Sequence, residues 1–338
     1  SESVTMSFLH DFEDSRGSTR QERRASKAVS KKTLKGKRSD QVVLDEIVKY
    51  GRPGEVDGQE VFHPTLAASR HERIWILNYL GGFFEEEKIT DVLRKVKGGK
   101  EANVYCCSAH PQTGFGLVAA KLYRPRMMRN LRNDARYRQG RKILDEYGKE
   151  VRDGRYLKAV RHGTAVGKEL VHMSWIEHEF QTMELLFAAG VPVPRPLARG
   201  YNTILMEYIG ALDTPAPTLN TVSLRKAEAR RLFDRLMAAV ETMLAHGRVH
   251  ADLSAYNVLY WQGDVRIIDF PQAVNPAQNR DAFDIFRRDV LRLCQYFDRS
   301  IPGLDAWDIA TSMWMRHVGR IEMELPEELE AENEEDGE

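Results

Sequence analysis

The sequence predicts an α+β fold in which a run of antiparallel strands precedes a mainly helical second half. Three observations carry this reading. Short β-type runs at 89–96, 102–107 and 116–123 are separated by glycines, which is the punctuation of consecutive antiparallel strands. Apolar residues then recur with helical spacing at Ile176, Phe180, Met183 and Phe187. A second amphipathic stretch, Leu232, Leu236, Val240 and Leu244, leads to a short hairpin that turns at Gln262-Gly263-Asp264. The 338 residues suffice for two ordinary domains or one large bilobed one.

In chain order, structure is expected to begin near Val42 or Pro64. Ile74, Leu77 and Leu80 form a short helix that the Gly81-Gly82 pair should stop. On the strand at 102–107, the adjacent Cys106 and Cys107 should point one inward and one outward, because strand side chains alternate. Ser174 and Glu177 make a capping box for the next helix, which Gly190 and the prolines at 192 and 194 end. Glu179 flanks that helix's apolar stripe, whereas Glu177 points away from it. Residues 281–297 read as a helix, and Trp307 and Trp314 at i, i+7 should pack a last helix onto the large lobe.

Composition excludes several classes. No stretch approaches the roughly 20 apolar residues of a membrane span, and residues 1–10 lack the pattern of a secretory signal. Three cysteines, without a C-x-x-C pair, give neither a disulfide framework nor a metal knuckle. The expectation is a cytoplasmic protein of a reducing compartment. The net charge of zero conceals a polar distribution: residues 16–38 hold ten Lys or Arg against Glu22 alone, and residues 322–338 hold ten Asp or Glu and no base. A further basic block, 124–161, holds thirteen basic and five acidic residues. Such runs are solvated tails or faces, or they attract a polyanion such as RNA.

The chemistry concentrates at four places. In Lys97-Gly98-Gly99-Lys100-Glu101-Ala102-Asn103 the glycines allow close backbone approach to a phosphate, although a plain hairpin turn has the same composition. Lys121 stands in an otherwise apolar strand, where it must pair or bind an anion. Glu179 faces the sheet and can meet it, the arrangement by which protein kinases hold nucleotide phosphates. Then come Asp252, Asn257 five residues later, and Asp269 twelve residues after that. Asn257 and Asp269, on paired strands, can share Mg²⁺ through oxygen ligands, while Asp252 can accept or orient a hydroxyl proton.

In that order and spacing the motifs resemble the RIO-type atypical serine/threonine kinases. The matching pieces are Gly99 to Tyr105, the lysine strand, Glu177-His178-Glu179-Phe180, Ala189 to Pro194, Met206 to Gly210, Thr214 to Pro217, His250 to Asn257, and Ile268 to Gln272. They run in family order from about 89 to 298. The phosphate loop and His-Ala-Asp-Leu-Ser resemble the first RIO branch, and Asp-Phe-Pro-Gln the second.

The resemblance implies a bilobed protein-kinase-like fold. Its N-lobe would combine an antiparallel sheet with an αC-like helix, and its C-lobe would be mainly helical, without an activation loop or Ala-Pro-Glu segment. The domain plan is a basic arm at 1–60, an N-lobe at 61–205 with a flexible insertion at 124–172, a C-lobe at 206–320 and an acidic tail at 321–338. ATP with Mg²⁺ or Mn²⁺ is implied, with Lys100, Glu101, Lys121 and Glu179 at the phosphates and backbone groups of Glu207 and Ile209 at the adenine. Asp252 and Asp269 would be catalytic, Asn257 and Asp269 would hold the metal, and Asp269 could itself accept phosphate. The implied process is small-subunit ribosome maturation, with pre-ribosomal particles or RNA meeting the basic arm and insertion. Two alternatives stand beside it: a small-molecule phosphotransferase of the aminoglycoside or choline type, which would need a large helical subdomain within the 69 residues after Asp269, and an RNA-binding assembly factor that uses ATP as a clamp.

Overall fold

The computed structural model describes residues 62–99, 101–124, 141–145 and 148–319. The expectations placed on the arm at 1–60, on Lys100 and on the tail at 321–338 lie outside these residues. Helix α1 (Arg70–Glu85) precedes strands β1 (Ile89–Gly98), β2 (Ala102–Ala109) and β3 (Leu117–Tyr123). Helices α2 (Gly154–Arg161) and α3 (Ala165–Ala188) follow, then β4 (Pro196–Gly200) and β5 (Thr203–Glu207). The strands form one antiparallel sheet in the order β1-β2-β3-β5-β4. The second half comprises α4 (Lys226–Ala245), the hairpin β6 (Val258–Trp261) and β7 (Asp264–Ile267), α5 (Ala282–Phe297) and α6 (Ala306–His317). This is the α+β plan, strands first and helices after.

Both faces of the sheet are covered, and that corrects the reading of the cysteine pair. Ile76, Leu80 and Phe83 of α1 pack on the face that carries Cys107, Val118, Ala120 and Leu122. The opposite face, with Cys106, Ala119 and Tyr123, packs against Ile176, Phe180 and Met183 of α3. Alternation still separates the two thiols, but each enters its own apolar layer and both are fully buried. The same alternation puts Lys121 on the Ala119 and Tyr123 face, toward α3.

Helix α1 runs through Gly81 and Gly82 to Glu85. Packing of Phe83 beyond the glycines outweighs their roughly 1 kcal/mol propensity cost. Helix α3 begins a turn and more before the expected cap. Its N-cap is Thr164, which accepts from Gly167 N–H, while Ser174 lies mid-helix and its hydroxyl accepts from Leu144 N–H at 2.9 Å. A side chain that pairs with a distant segment was indistinguishable, by spacing, from one that caps locally. Gly167 is needed where α2 crosses α3, since a Cβ there would sit 2.1 Å from the Ala159 carbonyl oxygen. Of the expected stripe, Ile176, Phe180 and Met183 are buried but Phe187 is 42% exposed, Leu186 taking its place. Trp314 packs on Phe283 and Phe286, while Trp307 reaches only the edge of Phe283 and stays half exposed. After Asp269, α5 and α6 are the only α-helices among the described residues.

Candidate functional site

The site is assembled where β3, α3 and the turns around β6 and β7 converge. Lys121 Nζ lies 2.6 Å from Glu179 Oε1 and 2.7 Å from Asp269 Oδ1. Tyr123 also donates its hydroxyl to Glu179, and Phe270 N–H donates to Glu179 Oε1 at 3.3 Å. Glu179 is almost fully buried. Burial raises its carboxyl above the ordinary range against the pull of Lys121. Burial would lower the Lys121 ammonium, but the two carboxylates outweigh it and hold that pKa above its usual value. For Asp269, burial is likewise outweighed by Lys121, and the carboxyl is held low. Lys121 therefore carries its charge, and Asp269 keeps 39% of its side chain open to a ligand.

Glu177 does not point into solvent. It is buried, paired with Arg199 on β4 and with Gln181. The helix is enclosed by the sheet on one side and by residues 141–150 on another, so a residue beside the stripe and one away from it are both covered.

The loop before β6 is held as firmly. His250 Nε2 meets the Ile268 carbonyl at 3.0 Å, and burial lowers the imidazole's pKa, so the ring is neutral at pH 7 and donates there. Asp252 N–H donates to His250 Nδ1 at 3.2 Å, which fixes the tautomer. Asn257 donates its amide to the Asp252 carbonyl at 2.9 Å and to Asp252 Oδ2 at 3.3 Å. Arg292 of α5 donates to Asp252 Oδ1 at 2.9 Å. Ile268 N–H donates to the Asn257 carbonyl at 3.0 Å, so Asn257 and Asp269 sit together just outside the paired strands rather than on them. Ala251 (φ 71°) and Asp269 (φ 74°) occupy the left-handed region without being glycine, at a cost of about 1–3 kcal/mol each. Such conformations persist because the surrounding hydrogen bonds over-determine them.

The donor set fits a hard divalent cation. The Asn257 amide nitrogen is engaged with Asp252, leaving its oxygen, and Asp269 gives one oxygen to Lys121, leaving the other. No group of three or more His, Cys, Asp or Glu among the described residues could hold a metal. Two oxygen ligands completed by phosphates and water are the Mg²⁺ pattern.

The remaining predicted residues lie at the edges. In the glycine loop Gly99 N–H donates to the Ala102 carbonyl at 2.9 Å, and a Cβ on Gly99 would meet that same oxygen at 2.9 Å. Glu101 is exposed and its carbonyl accepts from Arg124 N–H. Glu207 N–H donates to the Arg195 carbonyl, and the Ile209 carbonyl accepts from Ala216.

Sequence reasoning missed Asp289 and Arg141. Asp289 of α5 is buried, and its carboxylate accepts from Ala251 N–H at 2.7 Å and Leu253 N–H at 3.2 Å, clamping the Asp252 loop from beneath. A signal was present: a carboxylate on an apolar helix face, three residues after Phe286 and four before Leu293. Burial pushes its pKa up to about 7, despite Arg288 and the two N–H donors. Arg141, within the predicted insertion, donates to the carbonyls of Pro271 at 3.1 Å and Ala273 at 2.7 Å. Lys142 O accepts from His178, whose pKa burial lowers to about 4. No local pattern marks an arginine that binds carbonyls 130 residues away.

The clamp gives a first expected result. Asp289→Ala strands two buried N–H groups, each worth about 1–3 kcal/mol, and chemical denaturation should show a loss of about 2–4 kcal/mol. Between about pH 4 and pH 7 the folded protein keeps a proton on Asp289 that the unfolded chain releases. This group therefore makes stability fall as pH rises through that window, by at most about 1.4 kcal/mol per unit. Asp289→Asn should remove that component of the pH slope, and an unaltered slope would contradict the assignment.

A model of the RIO domain matches residues 103–309. The chain belongs to the RIO family. The match starts at Asn103, so the glycine loop precedes it, and it includes Lys121, Glu179, Asp252, Asn257 and Asp269. This RIO chain is 29% identical over 240 residues to the serine/threonine-protein kinase RIO1 of Chaetomium thermophilum, covering 68% of this chain and 43% of that protein. It is 32% identical over 215 residues to human serine/threonine-protein kinase RIO1, covering 62% and 34%. The RIO-type serine/threonine-protein kinase Rio1 of Haloferax volcanii is 30% identical over 211 residues, covering 62% and 64%. These names agree with the first-branch character of the phosphate loop. The matched region is thus well under half of the two eukaryotic relatives. No helix among the described residues is long and apolar enough to cross a membrane.

Proposed function

We propose that this RIO protein is an ATP-dependent serine/threonine kinase with ATPase turnover, supported by Mg²⁺ or Mn²⁺. The observation that carries this is the Lys121 ammonium shared between Glu179 and Asp269, at 2.6 and 2.7 Å, beside a loop that presents Asp252 and Asn257. In this reading Lys121 releases part of its hold on Asp269 to take the nucleotide's phosphate oxygens, and Glu179 keeps it aimed. Lys100 and Glu101 would flank the phosphates and Glu207 and Ile209 the adenine. Ile209 would act through its N–H, since its carbonyl is taken. Asn257 and Asp269 would hold the metal, which when bound neutralises developing charge on the phosphates. Asp252, steered by Arg292 and Asn257, orients the accepting hydroxyl and takes its proton. Isothermal titration should show ATP binding that weakens at least tenfold when divalent metal is removed; affinity indifferent to metal would refute the metal assignment.

A finer reading is that the γ-phosphoryl group passes first to Asp269. The carboxylate oxygen attacks phosphorus, the bond to the departing ADP breaks, and water later cleaves the acyl phosphate to free aspartate and inorganic phosphate. Finer still is a place in small-subunit ribosome maturation, which rests on the family resemblance and on the ten basic residues at 16–38. If that arm tracks RNA phosphates, deleting residues 15–40 should weaken RNA binding and flatten its salt dependence. An unchanged salt slope removes the arm from the reading.

A further inference from the structure

The most open concavity of the molecule lies at the face of the Asp252 loop that turns toward α5, and neither the phosphate machinery nor the metal ligands account for it. It measures about 990 Å³ and is bounded by residues 220–224, the Asp252–Asn257 loop and the second half of α5 with the residues after it. Its floor includes Asp252 itself, so whatever enters lies beside the group placed to take the acceptor's proton. The wall at 220–224 is fixed: Tyr296 donates its hydroxyl to the Leu219 carbonyl at 2.7 Å. Facing the space are Ser223, Ser254 and Gln295, together with two guanidinium groups, Arg292 and Arg299. Asp252 is the single carboxylate in the lining, and it is already engaged by Arg292 Nη1 at 2.9 Å.

The remaining polarity of the cleft is therefore cationic. Arg299 makes no ion pair or hydrogen bond among the described residues, and Arg292 keeps 38% of its side chain exposed while holding Asp252. Asn220 Oδ1 is buried in the same wall without a hydrogen-bond partner among the described residues. An amide left so is costly, and by turning over it can donate to an incoming carboxylate. Tyr256, on the loop's rim, is 67% exposed. Only 11 residues separate Asp269 from the N-cap of α5 at Asp281, and they fold back to pair Val274 with Val249. No segment after Asp269 lies over the cleft as a peptide shelf among the described residues.

We infer that this cleft is the acceptor site, and that it takes a serine or threonine in an acidic peptide segment, with Arg299 and the free edge of Arg292 reading carboxylates beside the hydroxyl. The inference rests on the kinase reading above and adds the chemical class of its substrate. The acceptor oxygen attacks the transferring phosphorus, the bond to ADP breaks, and the hydroxyl proton passes to Asp252 and on to solvent. Arg292 cannot test this cleanly, because its loss also frees Asp252; Arg299 does not touch the reacting groups.

The experiment uses the full chain with Mg-ATP and two serine peptides of equal length, one flanked by glutamates and one by lysines. The acidic peptide should be phosphorylated with kcat/KM at least tenfold higher. Arg299→Glu should erode that ratio at least tenfold, mainly through KM of the acidic peptide, and should improve the basic one. Arg299→Gln, which keeps length without charge, should fall between, and covers the case in which the glutamate variant folds poorly. Arg316→Ala, a surface arginine paired with Glu241 far along the chain, should leave the ratio unchanged. An equal preference in wild type and both Arg299 variants overturns the inference. So does ATP hydrolysis with neither peptide labelled, which leaves the kinase-fold ATPase standing but removes the acceptor cleft. Absence of both hydrolysis and label in the wild type instead refutes the catalytic reading on which the inference rests.

Discussion

Lys121→Met should abolish most ATP turnover, by 100-fold or more, and should also destabilise the protein. The two effects have different origins and can be separated. Lys121 is the sole cation within ion-pair distance of Glu179, which is buried, and removing it leaves a carboxylate with only the Tyr123 hydroxyl and Phe270 N–H for support. Breaking one side of a buried ion pair costs about 3–5 kcal/mol. Part of that is recovered when the orphaned carboxyl takes up a proton, so the deficit should shrink below neutral pH. In Lys121→Met with Glu179→Gln the buried charge is gone from both sides, and denaturant midpoints should return toward wild type. Turnover should not return, because neither residue can then orient phosphate oxygens. If the double variant regains activity together with stability, Lys121 serves packing alone and the phosphate role fails.

That separation matters because the pair was legible in the sequence for one reason and is stable in the structure for another. A lysine within Leu117-Val118-Ala119-Ala120-Lys121-Leu122-Tyr123 announces itself as an anion partner, and period-2 alternation fixes its face. Glu179 follows from helical spacing against Ile176, Phe180 and Met183. Asp252, Asn257 and Asp269 follow from order and interval. These are local rules, each acting within one or two turns of the chain. What spacing could not supply was anything set by distant contact. Ser174 imitates a cap but binds residue 144. Glu177 was assigned to solvent but is enclosed with Arg199. The sheet has a second apolar face only because α1 lies on it, so both cysteines are buried. Asp289 could have been suspected from its apolar neighbours, whereas Arg141 and Arg292 act across gaps of 130 and 40 residues and left no local trace. The Arg292 contact also shows why a site drawn from motifs alone is too small. The motifs name the groups at the phosphate, while the residues that hold those groups come from α5 and from the segment before α3.

The sharpest expected result concerns Asp269. Its carboxylate is held low by Lys121 and remains part-exposed, so at neutral pH it is an ionised nucleophile at the mouth of the phosphate site. Its φ of 74° turns the side chain away from the path an extended strand would give it, and the backbone there is pinned by Ile268 N–H on Asn257 and Phe270 N–H on Glu179. Ordinary hydroxyl phosphorylation would leave a serine or threonine ester, which resists hydroxylamine. Phosphate accepted by Asp269 would be an acyl phosphate, which hydroxylamine attacks readily. With labelled ATP, part of the enzyme-bound phosphate should therefore be released by hydroxylamine at neutral pH, and Asp269→Asn should eliminate that fraction. Asp252→Ala should reduce total transfer by 100-fold or more, because positioned proton transfer is worth about 10²–10⁴-fold, yet any label that remains should stay hydroxylamine-sensitive. The two variants thus divide the site: Asp252 governs how fast a hydroxyl or water is used, and Asp269 governs where phosphate first rests. If all label survives hydroxylamine and maps to serine or threonine, Asp269 is a metal ligand only. Its pairing with Lys121 would then mark a resting position that nucleotide and metal displace, and the cycle would run by direct transfer to the hydroxyl held beside Asp252.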